Sequence, residues 1–363
     1  MRKKAGNVIK ELEQLRGRAN AAIQEQGLLE CNLSYAYLQA GMIPESATAA
    51  RKAFDLFVAV GELQGATFAL VNLSACLSQF SDKASSLGAK YARQIVKLAR
   101  RMHSPRLLMA GLNHLTSYYR KRGNLAKAKT AAAECVRLAI SLRDADREVT
   151  NLCNLGNVYR DEVYKLSGRS KAIALRRAGE CYHDALDKAQ QHKLKAGEAH
   201  ALEKLAWFYR ERSPKRAIKY VRSAIKIQQA LGNNLRLGEC LLCLGRIQVK
   251  LEKHAQAAET FLAASQAYAQ VGASEESLDT LQEAGEQYGR LGARGGEKAA
   301  EIFRKVFETN ARNRPAEAME ALDALSKNDP ATKVSSDLAS ILRLALEAPS
   351  EHQLINVVWA DGT

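Results

Sequence analysis

Seven segments of this chain carry one short pattern at nearly constant spacing, and that periodicity limits the fold more than any other feature. In residues 151–160, Leu152, Leu155, Gly156 and Tyr159 fall at i, i+3, i+4 and i+7, which places all four on one face of a helix. Glycine inside a helix costs about 1 kcal/mol against alanine, so Gly156 implies that another helix must approach closely there. Leu202, Leu205, Ala206 and Tyr209 repeat the pattern, as do Leu241, Leu244, Gly245 and Gln248. The second leucine, or its stand-in, falls at Leu33, Leu73, Leu115, Leu155, Leu205, Leu244 and Ala284, so successive units are 40, 42, 40, 50, 39 and 40 residues apart. A period in this range marks stacked supersecondary units.

Each unit has a second half. In the third, Gly123 ends the first helix and Ala128, Ala132, Cys135 and Leu138 give a second helical stripe. The first unit offers Ala50, Ala53 and Leu56, and the sixth Ala257, Phe261, Ala264 and Ala267. Small residues at these places allow two antiparallel helices to pack tightly, so each unit reads as a helical hairpin. The marks, in order, resemble tetratricopeptide repeats of a long, roughly 40-residue variety, over about Leu28 to Glu308. The signature tryptophan of that family is replaced by leucine in most units and by Glu30 in the first. The resemblance implies an all-α, right-handed superhelical solenoid of about seven hairpins. No window shows a strand's alternation over more than a few residues. An amphipathic helix carrying Val8, Leu12, Leu15, Ala19 and Ile23 is expected to cap the first unit, behind a basic tip of Arg2, Lys3 and Lys4. The expected organisation is thus a capping segment at 1–27, the array at 28–314, and capping helices with an apolar tail (353–359) at 315–363.

The fourth unit departs from the period. Tyr159 to Ala178 is ten residues longer than Tyr119 to Ala128, and the extra stretch holds Gly168, Arg169, Lys171, Arg176 and Arg177. Two readings remain open: longer paired helices around a turn at Gly168, or a projecting arm that grips a ligand.

Catalytic chemistry has no visible home. The chain lacks a phosphate-binding loop, a dinucleotide fingerprint, a zinc-protease helix and a nucleophile elbow. Its seven histidines are scattered and its seven cysteines sit mostly at small-residue positions; Cys240-x-x-Cys243 has no second pair to complete a zinc site. We therefore expect no enzyme activity, no metal and no cofactor. With no disulfide framework, no secretory leader and no apolar run long enough for a membrane span, the expected location is the cytoplasm.

A binding surface is the better prospect. In repeats of the resembled kind the first helices line a concave groove. There the pattern points to Asn72, Asn113, Asn154 and Asn157, to a column of Arg120, Arg160 and Arg210, to Arg246, and to Trp207, either as an aromatic anchor or as a core residue. The resemblance implies that asparagine amides hold the backbone of an extended peptide; the alternative is that they bond a neighbouring helix. Guanidinium forks suit carboxylates, although each Arg of the column also lies where a helix C-terminus favours a cation. Residues 101–226 hold 27 Lys or Arg against 12 Asp or Glu, a difference of +15 that equals the net charge of the whole chain, whereas 270–329 hold 8 against 12. The expected partner is an acidic protein segment, met by a scaffold or by the sensor region of a larger regulator. RNA or DNA is the second choice, through an outer stripe of Lys215, Lys219, Arg222 and Lys226.

Overall fold

The computed structural model describes residues 8–14, 23–40, 42–77 and 82–310, together with 320, 321 and 324. Residues 8–14 are helical, and fourteen α-helices follow, with no strand among the described residues. In chain order they are α1 (Ile23–Ala40), α2 (Ile43–Ala59), α3 (Leu63–Leu77), α4 (Asp82–Arg101), α5 (Pro105–Lys121), α6 (Leu125–Ser141) and α7 (Ala145–Val163). Then come α8 (Gly168–Gln191), α9 (Lys195–Tyr209), α10 (Pro214–Leu231), α11 (Asn234–Lys250), α12 (His254–Gln270), α13 (Ser274–Gly289) and α14 (Gly296–Asn310). The marked residues from Leu33 to Ala284 each fall in an odd-numbered helix, so one sequence period is one helix pair. The basic tip and the apolar tail lie outside the described residues, as do the expected caps after residue 314 except for residues 320, 321 and 324, which are helical.

Local chemistry places the ends. Pro44, Pro105 and Pro214 lie in the first turns of α2, α5 and α10, where the missing N–H is no loss. Asn124, Asp144 and Asn233 cap α6, α7 and α11 by accepting the N–H three residues on. Gly123 turns the chain after α5 at φ +69°, a left-handed conformation that glycine adopts without strain. The insertion lengthens the fourth pair: α8 has 24 residues, against 17 in α6 and α12.

Contacts divide the chain into two compact units, Met1–Phe208 and Tyr209–Thr363. In the first, consecutive helices pack from α1 to α8, and α1 touches α3, α3 touches α5 and α5 touches α7. In the second, consecutive helices pack from α10 to α14. The cores are built as the small residues suggest: Ala50, Ala53, Ala128, Ala132, Cys135, Ala257 and Ala264 are buried. Two expectations shift by one residue. Phe57, not Leu56, is buried in α2, and Ile9, not Val8, packs with Leu33 and Tyr37 at the start of the array.

The close approach expected at Gly156 is made by a ring. A Cβ built there would lie 2.6 Å from Cε1 of Tyr182 in α8, so glycine is what lets the aromatic lie against α7. Gly285 and Phe303 repeat the joint between α13 and α14.

Burial also sets cysteine chemistry. It pushes the thiols of Cys135, Cys153 and Cys181 up to about 12. Their folded values exceed the unfolded value of about 8.5, so the stability they contribute is intact below that pH and falls as pH rises through it towards 12. A small aromatic disulfide reagent at pH 8 should leave these three unlabelled in native protein, whereas denatured protein should titrate all seven cysteines. Rapid native labelling of Cys153 would contradict the packing described.

Candidate binding surface

Within the first unit, α5 and α7 lie side by side and carry a polar ladder with the one-repeat offset. Asn154 Nδ2 lies 3.5 Å from Asn113 Oδ1, across 41 residues of chain. Six or seven residues further along the same helices, Arg120 Nε donates to Asp161 Oδ2 at 2.7 Å, and Arg160 Nη2 approaches Asp161 Oδ1 at 3.5 Å. Two guanidiniums thus share one carboxylate, with Arg120 25% and Arg160 30% exposed. The adjacent Glu162 is taken by Lys129 at 2.7 Å, so the triad keeps one uncompensated positive charge. Beneath it lies the phenol of Tyr182: burial raises its titration point, opposed by Arg160 and Arg120.

Other expected groove residues are placed differently. Asn157 is 8% exposed, and its Oδ1 accepts from Tyr182 Oη at 2.9 Å, so it belongs to the joint between α7 and α8 rather than to an open wall. Cys153 is buried as well. Both follow from the packing of α7, which meets α6, α8 and α5, while Asn154 and Arg160 stay partly exposed. Asn72 donates to the carbonyl of Cys31 at 3.2 Å, the neighbouring-helix bond that stood as the alternative to a peptide contact. Trp207 is partly buried, and it is Phe208 that reaches the core, edge-on to Tyr182 with centroids 5.7 Å apart.

In α9 the place of Asn154 is held by Lys204, whose Nζ bonds Glu203 Oε1 at 2.8 Å. Burial would raise the Glu203 carboxyl, but His200 and Lys204 outweigh it and hold it well below the usual carboxylate range. Sequence reasoning missed Asp161 and Glu203. The signal for Asp161 was available, because an acid directly after Arg160 falls one repeat beyond Arg120.

The second unit holds Arg210 and Arg246. Arg210 donates to Glu211 at 2.8 Å, and Lys250 bonds the same carboxylate. Arg246 grips Glu283 with two bonds, 2.6 and 3.2 Å. These groups, with Glu286 and Arg290, line an open depression of about 540 Å³ in which four cations face three carboxylates. Burial and the neighbouring Glu283 raise the Glu286 carboxyl. On α10, Lys215, Lys219, Arg222 and Lys226 are all exposed. Tyr220 is turned aside from them and stacks on Tyr209, with centroids 5.7 Å apart. Among the described residues no group of three or more His, Cys, Asp or Glu side chains is placed to hold a metal ion, and no helix is long and apolar enough to cross a membrane.

No family model matches this sequence, and no curated protein sequence matches it. Solved structures do match in fold. One is a Rap protein complexed with Competence and Sporulation Factor, 15% identical, with a TM-score of 0.59 over 89% of this chain and 81% of that one. Another is a signal-transduction ATPase with numerous domains and a tetratricopeptide repeat sensor from Pyrococcus horikoshii, 13% identical, with a TM-score of 0.58 over 95% of this chain and 52% of that one. At such identities the likeness is one of architecture. Joined to the repeat marks, the helix pairs and their glycine–aromatic joints, it shows that this chain has the fold of the tetratricopeptide-type helical repeat proteins.

Proposed function

We propose that the chain is a non-catalytic binding scaffold that holds an acidic segment of a partner protein across α5 and α7. The observation that carries this reading is the charge imbalance at Arg120, Arg160 and Asp161, where two partly buried guanidiniums have one carboxylate between them. An incoming Asp or Glu completes the set with charge-assisted bonds. Asn113 and Asn154, about two turns away on the same helices, present amides to the segment's backbone. Arg210 and Arg246, each already closed on its own carboxylate, take a smaller part, and Asn72, Asn157 and Trp207 are assigned no direct contact. The likeness to a Rap protein held with Competence and Sporulation Factor supports the reading in one respect: a chain of this architecture can hold a ligand.

The exposed stripe on α10 favours a second reading, nucleic-acid binding, because Lys215, Lys219, Arg222 and Lys226 have no ion-pair partner among the described residues. Peptides selected by display on the purified protein separate the two. Under the scaffold reading the selected peptides are rich in Asp and Glu, Arg160→Ala weakens the best of them about tenfold, and Arg120→Ala with Arg160→Ala weakens it about a hundredfold. The triple change of Lys215, Lys219 and Arg222 to alanine leaves peptide affinity unchanged. Selection without acidic enrichment overturns the scaffold reading. So does tight RNA binding that the triple change abolishes and that falls linearly in log salt.

A further inference from the structure

The insertion in the fourth hairpin builds a surface that the groove reading does not use. At 1.5 Å per residue α8 is about 36 Å long, roughly 10 Å longer than the 17-residue α6 of the preceding hairpin. Residues 164–173 are exposed without a break. Three are large and apolar: Tyr164 at 77% exposure, Ile173 at 44% and Leu166 at 38%. Lys165 Nζ donates to the carbonyl of Gly123 at 2.9 Å, which ties the base of the tip to the turn between α5 and α6. A Cβ on Gly123 would lie 2.6 Å from that ammonium, so the glycine makes room for the tie.

The charge around the tip is of one sign. Residues 163–179 contain Lys165, Arg169, Lys171, Arg176 and Arg177 and no carboxylate. Only Arg176 finds an acid further along α8, Glu180 at 3.0 Å. Arg169, Ile173, Arg176 and Arg177 recur at i, i+4, i+7 and i+8, so the apolar side chain and the cations share one side of the helix. Asp161 and Glu162 directly precede this stretch, in the last turn of α7, and are engaged with Arg120, Arg160 and Lys129.

We propose that this tip docks on an anionic lipid surface. Tyr164, Leu166 and Ile173 enter the boundary between headgroups and acyl chains, and Arg169, Lys171 and Arg177 meet the lipid phosphates. The mixture of groups is what argues for lipid: Tyr164, Leu166 and Ile173 are exposed in the same ten-residue stretch as Lys165, Arg169 and Lys171, as an interface with an apolar interior and charged headgroups demands. A hairpin end is convex, so it presents no trough for an extended acidic peptide. Nucleic acid would use the cations and Tyr164 but offers nothing to Leu166 and Ile173. With no described helix able to span a bilayer, the contact is peripheral and reversible. The proposal is independent of the groove reading.

Co-sedimentation of the full chain with vesicles tests it. Wild-type protein should partition onto phosphatidylcholine vesicles that contain phosphatidylserine and stay in solution with phosphatidylcholine alone. Changing Arg169, Lys171 and Arg177 to glutamine should weaken binding about fivefold per cation removed. Changing Tyr164, Leu166 and Ile173 together to serine should weaken it at least tenfold at unchanged charge. All six side chains are exposed, and circular dichroism should confirm that each variant keeps its helices. No sedimentation with the serine-lipid vesicles overturns the proposal. Equal partition of the wild type and the triple-serine variant also overturns it, since it leaves only a diffuse charge effect. RNA binding or self-association that consumes the patch while vesicles do not bind overturns it too.

Discussion

Truncating Tyr182 to alanine is expected to lower the stability of the first unit by about 3–5 kcal/mol, the range for emptying a large aromatic from a close-packed site. The side chain is fully buried, seated on Gly156, edge-on to Phe208 and hydrogen-bonded to Asn157. Its loss opens a cavity between α7 and α8 and leaves Asn157 Oδ1 without a donor. Tyr182→Phe keeps the ring and removes only the hydroxyl, so it should cost about 1–3 kcal/mol. Two compact units make a single unfolding transition a poor assumption, so hydrogen exchange is the better readout. Protection should fall in α7 and α8 in proportion to the two losses. A change below about 1 kcal/mol for the alanine variant would show that Tyr182 does not hold this joint.

The array was legible because its marks report on backbone packing. Leucines one period apart, alanines in the second helices and a glycine inside a helix each state how near a neighbour must come, and the helix pairs follow them. Gly156 is the clearest case, since its absent side chain implied a close approach and Tyr182 supplies it. The site was less legible, for a reason visible in α7. A helix that touches both its own partner and the corresponding helix of the next hairpin has little free surface. Polar residues on it can face inward as readily as outward. Asn151 is buried with its amide on the Cys135 carbonyl at 3.2 Å, and Asn157 is buried against Tyr182. A single sequence does not say that an asparagine already has its partner. Two of the arginines hid their carboxylates for a related reason: Asp161 lies 41 residues from Arg120 and Glu283 lies 37 from Arg246. Those pairs become neighbours only after the period has been folded into space. The insertion announced its length in the sequence, whereas the exposure of Tyr164 depends on where the turn ends.

The second large effect lies in the second unit, where a helix propensity and a packing constraint have opposite signs. Gly245 sits inside α11 against the fully buried ring of Phe261, and a Cβ built there runs into that ring. Alanine is the better helix former by about 1 kcal/mol, so Gly245→Ala would stabilise an isolated α11. In the folded protein the ring has nowhere to go, because Ala257, Ala258, Leu281, Ala284 and Tyr288 belong to the same core. Overpacking a close-packed site costs about 1–3 kcal/mol, and valine presses on the ring from two directions. Gly245→Ala should therefore destabilise the second unit, and Gly245→Val should do so by about 3 kcal/mol, with protection lost in α11 to α13. Pairing Gly245→Ala with Phe261→Leu should return part of the loss, because a smaller side chain restores the room, giving a coupling of at least about 1 kcal/mol. Exchange in α7 and α8 should stay as in the wild type, since each hairpin of a repeat array leans on its immediate neighbours. If Gly245→Ala raised stability instead, the glycine would be answering to something other than the Phe261 ring, and the glycine–aromatic joint would lose its place as the spacing device of these hairpins.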